Sequence, residues 1–141
     1  MENCVFCKII NNILKTDKLY EDDNVIVILD IKPATIKGGH CLVIPKKHYK
    51  LISDVDDEIL CKIVKVIKKM SKVLLKFGEG LNIMQNNERV SGQIIDHVHF
   101  HLIPRFSGDG VDTALEKYDY KDDEMEVVFN KIKNLLKEAD S

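Results

Sequence analysis

His97-Val98-His99-Phe100-His101-Leu102-Ile103 alternates imidazole and apolar side chains over its first five positions and is closed by Pro104. In an extended chain, side chains at i, i+2 and i+4 share one face. The alternation therefore predicts a strand from His97 to Ile103, with His97, His99 and His101 in a row and Val98, Phe100 and Leu102 directed into a core. Upstream lies the polar loop Asn86-Asn87-Glu88-Arg89-Val90-Ser91-Gly92-Gln93, and before it a second strand is expected over Leu81 to Gln85. Further back, Ile59, Leu60, Ile63, Val64, Ile67, Met70, Val73, Leu74 and Phe77 recur every three or four positions, the period of an amphipathic helix running from Asp56 to Phe77. Ser53 and Asp54 offer oxygens for its N-cap, Asp56, Asp57 and Glu58 suit the positive end of its dipole, and Gly78 can close it with a left-handed cap.

Toward the N-terminus, Val25 to Leu29 is β-branched and apolar after the turn-like Glu21-Asp22-Asp23-Asn24, so it forms a hairpin with Lys18 to Glu21. Gly38-Gly39 breaks the chain before a strand from His40 to Ile44 that stops at Pro45. Beyond Pro104 the pattern is irregular until Val127, Val128, Ile132, Leu135 and Leu136 mark a C-terminal helix. The expected fold is α+β, a mainly antiparallel sheet of about five strands with one long and one C-terminal helix. With 141 residues and no linker or repeat, one domain over 1–141 is expected.

A net charge of −2 gives no general attraction for nucleic acid, so any anion site must be local. The absence of an apolar run of roughly 18 to 20 residues, and a polar N-terminus, lead to the expectation of a cytoplasmic chain without a membrane partner. In that compartment the four cysteines are thiols or metal ligands rather than disulfides. Cys41 and Cys61 lie in apolar surroundings and are assigned to packing. Cys4 and Cys7 form a C-x-x-C pair, which supplies two soft ligands and leaves a tetrahedral zinc site half built. Against a redox role stands the lack of a thioredoxin-like context and of a helix start that would lower a thiol pKa; plain packing of the pair is the third reading.

An imidazole near neutral pH can act as nucleophile, proton carrier or metal ligand. A row of three can divide these tasks, and the amide-rich loop beside them offers donors for an anion.

The segment from His97 to Ile103 resembles the histidine-triad (HIT) family, whose mark is His-φ-His-φ-His-φ-φ with φ apolar. Leu29-Asp30-Ile31-Lys32-Pro33 and Gly39-His40-Cys41-Leu42-Val43-Ile44-Pro45-Lys46-Lys47-His48 are similar to two further family segments, as are Leu81-Asn82 through Asn86, Gly92-Gln93 and Ile103-Pro104-Arg105. The likeness spans about Cys4 to Arg105 and thins out over 106–141. It implies a HIT-like fold and a hydrolase that cleaves at the α-phosphate of purine nucleoside phosphoramidates or related adenylyl conjugates. In that scheme His99 is the nucleophile that forms a nucleotidyl-histidine, with His101 and His40 as its companions. Asp30 and Ile31 hold the ribose and cover the base, while Asn86, Gly92, Gln93 and the backbone of Ile94 cradle the phosphate.

It further implies one structural zinc on Cys4, Cys7, His48 and His97, no catalytic metal, and a homodimer with the long helix and an adjoining strand at its interface. Dinucleoside polyphosphate hydrolysis, or nucleotide binding with little turnover, are the alternatives. Three positions depart from the family pattern: Ile94 replaces a Ser or Thr, Glu88 stands where bacterial members often have Gly, and Asp96 replaces an aromatic residue.

Overall fold

The computed structural model describes residues 3–140, and the chain divides into two compact units after Val111. The first unit runs α1 (Val5–Ile10), β1 (Lys18–Glu21), β2 (Val25–Leu29), β3 (Cys41–Pro45), α2 (Asp57–Phe77), β4 (Gly80–Gln85) and β5 (Phe100–Arg105). All pairings are antiparallel and the strand order is β1-β2-β3-β5-β4. The α+β architecture and the five strands agree with the sequence expectation.

Why β2 and β3 read as unbroken apolar runs is explained by what covers them. Val25, Val27, Cys41 and Val43 pack with Ile63, Val66, Ile67 and Met70 of α2 on one face of the sheet. Ile26, Ile28, Leu42 and Ile44 pack with Phe6 and Ile9 of α1 on the other. Both faces are buried, so alternation with polar residues disappears. The short helix α1 itself was not expected from the pattern, because six residues carry too little periodicity. Its side of the sheet is the side on which the imidazoles lie.

Several boundaries differ from the sequence reading. α2 is capped by Asp56, not by Ser53 or Asp54, which lie in a 3-10 turn over Ile52–Asp54. The Asp56 carboxylate makes no cap bond and instead accepts from Lys47 Nζ at 2.9 Å and Tyr49 Oη at 2.8 Å. Gly78 ends α2 at φ −115°, which is extended backbone rather than the left-handed cap expected. Its glycine is needed for close approach, since a Cβ there would lie 3.0 Å from Pro104 Cβ and 3.2 Å from the Arg105 carbonyl. β3 continues through Pro45, and Cys61 is exposed on α2 rather than packed.

The second unit is irregular until α3 (Glu124–Ala139), the expected C-terminal helix. Its entry is fixed by the Glu124 carboxylate, which accepts from the Lys121 backbone N–H at 2.8 Å and from Tyr118 Oη. Every described residue of this unit is exposed.

Candidate functional site

Regular pairing of β5 starts only at Phe100, so His97 and His99 precede the strand instead of belonging to it as expected. The Val98 N–H is taken by the Tyr49 carbonyl at 2.8 Å, which carries the chain past the end of β3. The facing pattern nevertheless holds. Val98, Phe100 and Leu102 belong to the core beneath α2, and the three imidazoles turn to the side of α1.

Hydrogen bonds assign a proton to each ring. His99 Nδ1 lies 2.7 Å from the His97 carbonyl, which can only accept, so Nδ1 carries the proton and Nε2 the lone pair. The Ala34 N–H donates to His40 Nδ1 at 3.1 Å. His40 Nε2 therefore carries a proton and donates it to His101 Nδ1 at 2.9 Å, leaving His101 with a proton on Nε2. Sheet pairing makes this contact possible: the Asp30 N–H donates to the His40 carbonyl at 2.8 Å, and His101 stands opposite Leu42 in β3. Asp30 Oδ2 is 3.7 Å from His40 Nε2.

Burial holds His40 and His99 below the usual histidine value and takes His101 down to about 4, with neighbouring imidazoles adding to the effect at His101 and the Asp30 carboxylate opposing it at all three. At neutral pH the cluster is uncharged. One ring then offers a lone pair and its neighbour an N–H, the pairing that suits nucleophilic attack beside a hydrogen bond to the leaving group.

His99 and His101 line a cavity of about 640 Å³ together with Asp30, Ile31, Gly92 and Ile94. Its apolar lining includes Phe6, Ile9 and Ile28, residues that the sequence reading did not select. Phe6 meets the His99 ring edge-on at a centroid distance of 5.1 Å. The only sequence signal for Phe6 and Ile9 was an apolar i, i+3 pair beside C-x-x-C.

His40 stands behind His101 and Asn86 beside Gly92, neither lining the cavity. Gly92 has φ +101°, and a Cβ there would press on Asn86 Nδ2 at 3.4 Å. Gln93 is 1% exposed. Its Oε1 accepts from the Glu88 N–H at 2.8 Å and its Nε2 donates to the Lys50 carbonyl at 2.7 Å. That amide is thus committed to holding the loop's shape. Ile94 projects an apolar side chain that is 76% exposed at the rim.

On the far side of His97, Cys4, Cys7, His48 and His97 bring one ligand atom each within 4.8 Å of one another, close enough to hold a metal ion. Cys4 Sγ lies 3.3 Å from His97 Nδ1, and Cys7 Sγ lies 3.3 Å from His48 Nδ1 and 3.6 Å from His97 Nδ1. A tetrahedral ion with thiolate and imidazole ligands sets sulfur and nitrogen about 3.5 Å apart. His97 Nε2 donates to the Pro45 carbonyl at 2.8 Å, which frees Nδ1 as a ligand, and burial lowers this ring to about 4. Contrary to the sequence expectation a helix does start at the pair, with Cys4 capping α1. Even so, burial and then Cys4 push the Cys7 thiol up to about 11, opposite to what a redox thiol requires.

The HIT domain family model matches residues 12–108. An uncharacterized HIT-like protein of Methanocaldococcus jannaschii is 50% identical over 108 residues, covering 76% of this chain and 82% of that protein. An adenosine 5′-monophosphoramidase of Candida albicans is 38% identical over 148 residues, covering 99% and 95%. The crystal structure of a histidine triad nucleotide-binding protein from Candida albicans superimposes with a TM-score of 0.85 at 35% identity, covering 97% of this chain and 99% of that one. With the family match spanning most of the first unit and the imidazole row in place, the chain belongs to the HIT domain family.

Proposed function

We propose that this HIT-family hydrolase cleaves purine nucleoside phosphoramidates or related adenylyl conjugates at the α-phosphorus, with His99 as nucleophile. The observation that carries the reading is the His99 Nδ1–H bond to the His97 carbonyl, which leaves Nε2 with its lone pair on a ring lining the cavity. Attack forms an Nε2–P bond as the P–N bond to the leaving amine breaks. The leaving nitrogen departs as the neutral amine with the proton it carries in the protonated phosphoramidate, while the His101 Nε2–H donates a hydrogen bond to its developing lone pair and His40 keeps its bond to His101 Nδ1. The nucleotidylated His99 ring is cationic because it retains Nδ1–H, and this charge is the one the leaving nitrogen gives up. Water then attacks phosphorus, breaks the Nε2–P bond so that His99 regains its lone pair, and releases its proton to solvent.

Asp30 accepts from the ribose hydroxyls and Ile31 covers the base, which enters the apolar part of the cavity formed by Phe6, Ile9 and Ile28. Gly92 and the Ile94 N–H face the phosphate, with Asn86 beside Gly92, while Gln93 keeps their loop in shape. Zinc is the ion that suits two thiolates and two imidazoles, and Cys4, Cys7, His48 and His97 would hold it as a structural tie for α1. The working form is a cytoplasmic homodimer acting on free nucleotides.

Ile94 favours a second reading. The hydroxyl expected at this position is missing, and loss of one phosphate contact slows turnover toward nucleotide binding alone. Single-turnover assays with adenosine 5′-phosphoramidate and a diadenosine polyphosphate separate the cases. Faster release of AMP from the phosphoramidate supports the main reading, faster polyphosphate cleavage the dinucleotide alternative, and saturable binding without product a nucleotide-binding protein.

A further inference from the structure

The cavity holds polar groups that the reaction scheme above does not use. Lys15 and Thr16 line it from the segment joining α1 to β1, next to Leu14 and across from the Ile28–Asp30 stretch. β1 opens with Lys18 paired to Ile28, so the segment that carries Lys15 and Thr16 enters the sheet beside the Ile28–Asp30 end of β2, at the part of the cavity assigned to the nucleoside rather than the phosphate. Lys15 is exposed and Thr16 half-buried. Among the described residues, no hydrogen bond or ion pair engages the Lys15 ammonium or the Thr16 hydroxyl. A second lysine, Lys32, also lines the cavity, and its backbone N–H donates to Asp30 Oδ1 at 2.9 Å. The rest of the lining beside them is largely apolar, with Phe6, Ile9 and Ile28 among it.

We propose that Lys15, seconded by Thr16, reads the edge of the purine and makes the site prefer a 6-oxopurine, guanine or hypoxanthine, over adenine. A stacking floor of apolar side chains accepts any purine and cannot tell one from another. Selectivity must come from the rim, where an ammonium has donors only. Guanine and hypoxanthine present two adjacent acceptors, N7 and O6, whereas adenine presents N7 beside an amino group. A lysine at that edge therefore gains a second acceptor with the 6-oxo bases and faces a competing donor with adenine. The Thr16 hydroxyl can donate or accept and so adds affinity for either base. This inference rests on the nucleotide-site reading and narrows its substrate class.

Calorimetric titration of the full chain with GMP, IMP and AMP tests it without relying on turnover. GMP and IMP are expected to bind about five- to tenfold more tightly than AMP, IMP showing that the 6-oxo edge and not the 2-amino group is read. Lys15→Met, which keeps most of the aliphatic stem, should remove that preference by weakening GMP and IMP while sparing AMP, and Lys15→Arg should keep it. Equal or tighter AMP binding overturns the inference, as does equal weakening of all three ligands by Lys15→Met, which would mark Lys15 as a general anion attractor. Phosphoramidate cleavage without base preference defeats this inference alone. The predicted binding order without cleavage defeats the hydrolase reading alone, and no binding of any nucleotide defeats both.

Discussion

Glu88 sits at φ 71° and ψ 157°, a backbone region that side chains avoid and glycine tolerates. The loop forces it there. Its N–H donates to Gln93 Oε1, and its carbonyl accepts from the Ser91 and Gln93 N–H groups at 3.2 and 3.1 Å. Glu88→Gly should therefore raise stability by about 1 kcal/mol, strain relief outweighing glycine's entropy and the exposed Lys50 contact. Urea denaturation measures it, and a loss of stability would show that the surface pair matters more than the backbone. Sequence alone marked this position only through resemblance, because nothing in the letters reveals a dihedral angle. The triad was legible for the opposite reason: alternation is a property of the letters themselves, so His99 could be selected before its hydrogen bonds were known. His99→Ala should lower turnover by at least about a thousandfold while retaining bound metal, since its ring is not among the clustered metal ligands. A chiral phosphorothioate substrate should keep its configuration through two displacements, and net inversion would mean direct attack by water. The pH profile of kcat/KM carries the same assignment. Burial disfavours the protonated ring, so His99 stays neutral to a pH below its usual value of about 6.5, and the acid limb should fall below that point. An acid limb centred above it would assign the limb to another group.

α1 shows how a small element can matter more than its length suggests. Cys4 caps it, Cys7 lies one turn on, and between and beyond them Phe6 and Ile9 bury themselves against β2 and β3 while lining the cavity. A metal on Cys4, Cys7, His48 and His97 would tie this helix to the chain after β3 and to the approach to β5. Stripping the ion with a chelator, or the Cys4→Ser/Cys7→Ser double substitution, should release that tie. Exposing Phe6 and Ile9 costs roughly 1.5 to 3 kcal/mol each, so melting should drop by about ten degrees or more and KM for a nucleotide should rise about tenfold or more. Unchanged zinc content in the double variant, or unchanged KM after verified metal loss, would refute the tie. Long elements were readable from periodicity: α2 declares itself through apolar residues at helical spacing, and β2 and β3 through continuous apolar runs. What escaped the sequence were features decided by distant partners. α2 starts after Asp56 rather than after Ser53 or Asp54, with the Asp56 carboxylate drawn away to Lys47 and Tyr49, and β5 starts late because Tyr49 takes the Val98 N–H. The apolar part of the cavity was missed for the same reason, since Phe6 and Ile28 meet only across the folded sheet.

For the molecule as a whole, the sheet ends on β4, an edge strand beside an apolar surface that the first unit leaves uncovered. Ile83 shares a strand face with Leu81, which packs against the core under α2, yet Ile83 remains 54% exposed. On α2, Lys69 lies over the Tyr20 ring of β1, so the opposite flank, carrying exposed Val64 and Leu75, faces the β4 side. An open edge next to such a patch invites pairing with a like edge, and a second copy supplies one with twofold symmetry. The expected solution state is therefore a dimer joined along β4 and α2. Ile83→Lys should split it into monomers in sedimentation velocity at tens of micromolar, because the substitution puts two like charges at the joint without touching the buried core. The same surface predicts a direction for salt. Val64 and Leu75 are flanked on the helix by Lys68 and Lys72, so joining two copies gathers positive charge around an apolar contact. Screening weakens that repulsion and leaves apolar burial intact, so the dimer should tighten as sodium chloride rises from about 50 to about 500 mM. A monomer at every concentration would exclude this face as an interface, and a dimer that loosens with salt would place the contact on oppositely charged surfaces elsewhere.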